Sequence, residues 1–375
     1  MRLHILRRLP WLLLYLLALL PISCGGSGGN TASRLPAAQL QRFLNNTMAQ
    51  HPIAGVVLAV ETPAGSWRGA SGKSDISTGT AMNIACQFRI GSISKQFLAA
   101  LVLQLIQEGT LTLDDTIEHW QPGLVPNGDE ITLRMLLNHT SGLYDYLYDP
   151  SFLLACLGNT HRSWTPTELV QYATKHALTY SPGTDWGYCN TGYVLLGMVV
   201  ESATGHPLAQ EMRTRFFVPL GMSHTFFATD AAMSTPFAHG YWPENGSNTD
   251  ISDWNPSYGW AAGSIVSTAD DLLIWTKALM GGQVLSATSF QQMTSVLSPA
   301  QNYGFGLNIV DLPTEGHVIC HNGEIPGYMA MLRYYPAKQM TVVILTNEHN
   351  ILNRLDSPEA ELINALESEV FGLNK

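Results

Sequence analysis

The run HVICHNGEIPGYMAMLRYYPAKQMTVVILT, residues 317–346, reads as strands parted by tight turns. Tyr328–Tyr335 and Met340–Thr346 are rich in aromatic and β-branched side chains, and Pro326-Gly327 and Pro336 punctuate them. Tyr303–Val310 and His317–His321 are strand-like as well. At the other end of the chain, Ile53–Glu61 is a continuous apolar run, the pattern of a strand buried on both faces. Ala64-Gly65 then turns into a second, short strand near Trp67.

Between these ends the period changes. A long apolar helix is predicted from Ser92 to Gln107, stopped at Gly109. Residues 110–285 are mostly helical, cut by Pro/Gly loops, with helices expected at 131–138, 166–177, 190–204, 207–216 and 268–280. Helices are also expected at 36–50, with Leu40, Phe43, Leu44 and Met48 on one face, and at 357–371, opened by Ser357-Pro358. The economical fold is α/β (α+β): an antiparallel sheet built from both termini, flanked by terminal helices, with an all-helical region inserted at about 92–290. That region is too long to be a loop.

Composition narrows the function. Charged residues are 13% of the 375, half the usual ~25%, and hydrophobic residues are 46%, so the chain is no disordered polymer. The net charge of −10 excludes a broad basic footprint for nucleic acid. Arg2, Arg7 and Arg8 precede an uncharged apolar stretch, Pro10–Ile22, that is short for a membrane span but right for an export signal. Ser23-Cys24, followed by the tether Gly25-Gly26-Ser27-Gly28-Gly29, resembles a bacterial lipoprotein processing site. Pro21 stands where that pattern has Leu, and Leu20 lies one place back; plain signal cleavage nearby is the alternative. The expected organisation is a signal over 1–23, a lipidated Cys24 and tether over 24–35, and one domain over 36–375, exported to the periplasm and held at the outer membrane by lipid. Four cysteines remain, Cys86, Cys156, Cys189 and Cys320, with no C-x-x-C and no zinc pattern; disulfides and simple buried packing both fit.

Three short motifs carry chemistry. Ser92-Ile93-Ser94-Lys95 lies at a strand-to-helix junction, where one helical turn puts Ser92 and Lys95 on one face. A serine needs a base beside it, and a lysine serves if burial lowers its pKa. Taken alone, the motif also fits a capping serine with an exposed lysine. Tyr188-Cys189-Asn190 precedes an apolar helix; Asn190 alone could be an N-cap and Tyr188 a core aromatic. His321-Asn322-Gly323 ends a late strand, where Gly323 would let a substrate backbone approach. Alternation sets His321 and Gly323 on one face and Asn322 and Glu324 on the other.

Together, S-x-x-K, Y-x-N and H-x-G resemble the serine β-lactamase and penicillin-binding protein superfamily, in its class C β-lactamase and DD-carboxypeptidase-like branch. Leu136-Leu137-Asn138-His139-Thr140-Ser141-Gly142-Leu143 and Ala262–Leu272 look like the same branch, and the likeness spans roughly 38–372. The resemblance implies that Ser92 is acylated, that Lys95 takes its proton or tunes its environment, and that Tyr188 carries protons to the leaving group and from the deacylating water. It implies that Asn190 bonds a substrate amide, and that the backbone N–H groups of Ser92 and Glu324 form the oxyanion hole. His321, in place of the lactamase lysine, would face a substrate carboxylate, partly protonated near neutral pH.

The implied function is hydrolysis of a peptide or small-molecule amide, D-alanyl-D-alanine carboxypeptidase or D-amino-acid peptidase in type, with no cofactor and no metal. A carboxylesterase or class C-type lactamase on the same scaffold is the alternative; a non-turnover cell-wall or β-lactam sensor is one of another class. No H-E-x-x-H is present, and no G-x-S-x-G surrounds Ser92. Residues 143–160 and 240–262, with the aromatic segments Tyr144–Tyr148 and Trp254–Trp260, are the expected specificity loops.

Overall fold

The computed structural model describes residues 37–51, 53–296, 301–312 and 316–350, with positions 361 and 365. The expected signal, tether and closing helix at 357–371 lie outside this set, apart from those two positions. A seven-stranded antiparallel sheet organises the rest. Its strands are β1 (Gly55–Thr62), β2 (Gly65–Asp75), β3 (Thr80–Ala81), β4 (Asn308–Leu312), β5 (Gly316–Ile325), β6 (Tyr328–Tyr335) and β7 (Met340–Thr346). Their spatial order is β3-β2-β1-β7-β6-β5-β4, so strands from the two ends of the chain pair at the centre, Val56 opposite Thr346 through Glu61 opposite Thr341.

The central strands are apolar on both sides because both sides are covered. Val56, Leu58 and Val60 of β1, with Val342 and Ile344 of β7, pack against Leu40, Leu44 and Met48 of helix α1 (Ala37–Gln50). Val57, Ala59, Val343 and Leu345 face the opposite way, into the main core with helix α2 (Ser94–Gln107). Helix α2 is buried on nearly every face, from Ser94 to Leu103 without a break. A helix apolar all round belongs inside a protein, and this one is its axis.

The inserted region is chiefly helical, including α3 (Asn190–Thr204) and α4 (Ala269–Met280). It also holds short strands: Phe88–Arg89, Ile265–Ser267 and Phe226–Phe227 form a three-stranded sheet, and Tyr241–Glu244 pairs with Ser247–Asp250. Two- to four-residue strands are too short to leave a period in the sequence. The same limit works in reverse at Trp67, where the expected short strand is the eleven-residue β2. Among the described residues, no helix is long and apolar enough to cross a membrane. The four cysteines of the domain are free thiols.

One contact fixes the sheet against the start of α2. Phe88–Arg89 leads through Ile90 into a 3-10 turn, Gly91–Ile93, which runs straight into the helix. Strand β5 lies directly on this turn: a Cβ on Gly323 would sit 1.8 Å from the carbonyl oxygen of Ile90 and 3.2 Å from the nitrogen of Ser92. Gly91, at φ +49°, answers from the other side, where a Cβ would meet the nitrogen of Glu324 at 2.7 Å. Any side chain at 323 pushes the sheet off Ser92. Gly323→Ala should therefore cost about 1–3 kcal/mol of stability, the range of overpacked sites, and lower the reactivity of Ser92. Thermal unfolding, with covalent labelling of the folded fraction, measures both; an unchanged melting curve and labelling rate would contradict the contact.

Candidate active site

Ser92 is half-buried in the turn, whereas Lys95, one turn on, is fully buried. The Lys95 Nζ lies 3.0 Å from Ser92 Oγ, 2.9 Å from Asn190 Oδ1 and 2.8 Å from the Ala262 carbonyl oxygen. Burial is the main force on its pKa and lowers it to about 7; the carboxylate of Asp145 pushes the other way. A neutral amine has two N–H donors and one lone pair. Asn190 Oδ1 and the Ala262 carbonyl can only accept, so they take the two donors. The lone pair is then left for the Ser92 hydroxyl, the arrangement a general base requires.

Asn190 is itself held. Its backbone N–H and its Nδ2 both donate to Asp145 Oδ2, at 3.0 and 2.8 Å. That pins the amide with Oδ1 toward Lys95. Asp145 is buried, and burial raises its pKa against the hydrogen bonds that lower it. The Tyr188 ring stands over the lysine, with Nζ 4.9 Å from its centroid. The rings of His139, Tyr303 and His321 lie 4.4, 6.1 and 6.4 Å from it, centroid to centroid.

His321 differs from expectation. It is 3% exposed, and both ring nitrogens are engaged: Nδ1 donates to the Asn322 carbonyl and Nε2 accepts from the Tyr303 hydroxyl at 3.1 Å. A carbonyl only accepts, so the proton sits on Nδ1 and Nε2 carries the lone pair. Burial, reinforced by the charge of Lys95, lowers its pKa to about 3. The imidazole is therefore neutral near pH 7, where residue type alone suggests partial protonation.

Glu324 follows the strand alternation. Its carboxylate is directed to the face away from Ser92, 3.7 Å from the buried His349. Its backbone nitrogen, by contrast, lies against Gly91. The Pro326-Gly327 hairpin pairs Ile325 with Tyr328. In such a two-residue hairpin the next pair, Glu324 and Met329, directs its amides away from the partner strand. The N–H of Glu324 therefore points toward the Ser92 turn.

The structure thus brings together Ser92, Lys95, Tyr188, Asn190, His321, Gly323 and Glu324, which the sequence scatters over more than 230 positions. Cys24 lies outside the described residues. Cys189 is buried beside the site and burial pushes its thiol up to about 12, so it is unreactive packing. Three members went unnoticed as site residues. Asp145 and His139 lay in or beside a stretch noted only as a whole, and Tyr303 carried no motif. Ala262 takes part through its carbonyl, which no side-chain pattern reveals.

The sequence model of the Beta-lactamase family matches residues 40–363. Penicillin-binding protein 4 of Amycolatopsis lactamdurans is 28% identical over 336 residues, covering 83% of this chain and 85% of that protein. Among solved structures, a D-stereospecific amidohydrolase from Streptomyces sp. superposes with a TM-score of 0.79 at 32% identity, over 90% of this chain and 99% of that one. A D-amino acid amidase from Ochrobactrum anthropi SV3, complexed with L-phenylalanine, gives 0.79 at 27% identity, over 89% and 99%.

If the lone pair of Lys95 is what activates Ser92, acylation must rise with pH. The rate with an uncharged ester should climb as pH passes through about 7, where Lys95 loses its proton. It should be low below that range, where the protonated amine has no lone pair. Stopped-flow acylation measured from pH 5 to 9 gives the profile; a flat rate, or one falling with pH, would remove Lys95 as the base.

Proposed function

The chain belongs to the β-lactamase family, and on that footing we propose that it is a serine hydrolase that cleaves amide bonds of D-amino-acid substrates through an acyl-enzyme on Ser92. The observation that carries this reading is the Lys95 amine, buried 3.0 Å from Ser92 Oγ with two fixed acceptors for its other hydrogens. The similarity to a D-stereospecific amidohydrolase and a D-amino acid amidase supports the substrate class.

The steps follow from the positions. Neutral Lys95 Nζ takes the proton from Ser92 Oγ as the oxygen adds to the substrate carbonyl carbon. The carbonyl electron pair moves onto its oxygen, where the Ser92 and Glu324 N–H groups stabilise the developing charge. Collapse expels the amine, which receives the proton by way of Tyr188, and leaves an ester on Ser92. Water then gives a proton to the Tyr188–Lys95 pair as it adds to the ester; collapse breaks the bond to Ser92 Oγ, which takes that proton back, and releases the acid. Asn190 has one Nδ2 hydrogen on Asp145; the second is available to a substrate carbonyl.

His321 refines the choice within the family. A DD-carboxypeptidase must hold the carboxylate at the end of its substrate, and a neutral imidazole engaged at both nitrogens supplies no cation for it. That favours substrates whose scissile bond is followed by an uncharged group, such as a D-aminoacyl amide. A charge-assisted hydrogen bond contributes ~1.5–3 kcal/mol, so kcat/KM for a D-aminoacyl amide should exceed that for the corresponding dipeptide with a free C-terminus by about tenfold or more. Both are assayed beside Ser92→Ala, which should abolish turnover and any adduct with benzylpenicillin seen by intact mass. Faster cleavage of the dipeptide would restore the carboxypeptidase reading; turnover or labelling that survives Ser92→Ala would remove the nucleophile.

In the same proposal, residues 1–23 export the chain and a lipid on Cys24 holds the 36–375 domain at the outer membrane, facing the periplasm. Labelled palmitate fed to cells should appear on the protein and be absent from Cys24→Ala. Unlabelled protein that stays in the aqueous fraction after lysis would rule the anchor out.

A further inference from the structure

His139 makes more contacts to the Tyr188 segment than packing requires. It is 1% exposed and has a left-handed backbone, φ +64°. Its carbonyl oxygen accepts the Gly187 N–H at 3.0 Å and the Tyr180 hydroxyl at 3.0 Å. Its ring Nδ1 accepts the Cys189 N–H at 3.1 Å. Gly187 and Cys189 are the two neighbours of Tyr188, and Cys189 caps the helix that begins with Asn190. The imidazole also lies against the Tyr188 ring, and Tyr193 and Tyr303 enclose it, with centroids 5.2 and 4.6 Å away.

We propose that His139 is the positioning residue of the site: it grips the chain on both sides of Tyr188, by its carbonyl before and its ring nitrogen after, and so aims the phenol at Lys95. The inference rests on the reading of Tyr188 as the proton carrier. The grip needs one tautomer. Nδ1 must keep its lone pair for the Cys189 N–H, so the single ring proton sits on Nε2. An imidazolium would set two N–H groups against each other and break the hold. Burial, with the charge of Lys95 adding to it, keeps the ring neutral, its pKa well below the usual value.

The test compares three variants of the full chain in single-turnover acylation with an ester substrate. A displacement of about 1 Å at a catalytic group can cost ~100-fold, so His139→Leu should slow acylation by about that factor, with KM shifted by less than about threefold because binding groups are untouched. His139→Asn offers Oδ1 where Nδ1 stood and tolerates the positive φ; it should recover to within about tenfold of the wild type. His139→Leu at the wild-type rate, or His139→Asn as slow as His139→Leu, overturns the proposal. Should the leucine variant fail to fold, nitrogen-15 spectra of the histidine-labelled native protein decide: Nδ1 must be the unprotonated nitrogen, and a proton there overturns the grip. Tyr188→Phe separates the two readings. A fast Tyr188→Phe removes the proton carrier and the proposal with it; a slow Tyr188→Phe beside a fast His139→Leu removes the positioning role alone.

Discussion

An amine with no exposure to water is the constraint around which this molecule is arranged. Burying an ammonium is costly unless its hydrogens are bonded, and Lys95 meets three acceptors within 3.0 Å. Burial brings its pKa near neutrality. The acceptors then decide which face of the neutral amine is presented to Ser92. Each has its own support: Asn190 is fixed by Asp145, Ala262 by the short helix Trp260–Gly263, and Ser92 by the turn that opens α2. Removing the Asn190 or the Ala262 acceptor would leave the neutral amine buried with a hydrogen unplaced, a larger penalty than the lost bond alone.

The sheet contributes its edge. Strand β4 pairs with β5 only as far as Cys320, and beyond that point β5 runs against the Ser92 turn instead of another strand. The close approach depends on two glycines facing each other, Gly91 and Gly323. A backbone edge offers N–H donors at fixed spacing without rotamer freedom, which suits it to stabilise charge that appears only during reaction. The inner face of β5 thus has two duties: Ile319 and Ile325 anchor it in the core, while His321 and Gly323 between them border the site.

Much of this could be read from the chain alone, for reasons that also explain what could not. Strands such as Met340–Thr346 announce themselves because both faces are buried and apolar or β-branched residues fill every position. Ser92 and Lys95 were legible because they share one helical turn, and Tyr188 and Asn190 because they open a helix. Asp145 and Tyr303 were not, since each acts on a residue far along the chain, 45 positions away for Asp145 and 18 for Tyr303. The surroundings of His321 were not legible for a related reason: residue type gives a reference pKa, but burial and partners shift it. The closing helix expected at 357–371 is not part of the described structure, apart from two positions.

The site's bases also share a charge problem. Lys95, His139 and His321 are buried close together, and the charge of the lysine lowers both histidines. Only one positive charge is tolerable in such a volume. Because both histidines are bound in tautomers that require neutrality, that charge falls to the lysine whenever it is present at all. Where Lys95 carries that charge, Asp145, at the far end of the Asn190 amide, is the buried acid that opposes it. A second fixed cation in the cleft, such as the lysine of the lactamases at position 321, would depress Lys95 further and make it a weaker base. Neutral histidine at 321 adds no second cation beside Lys95.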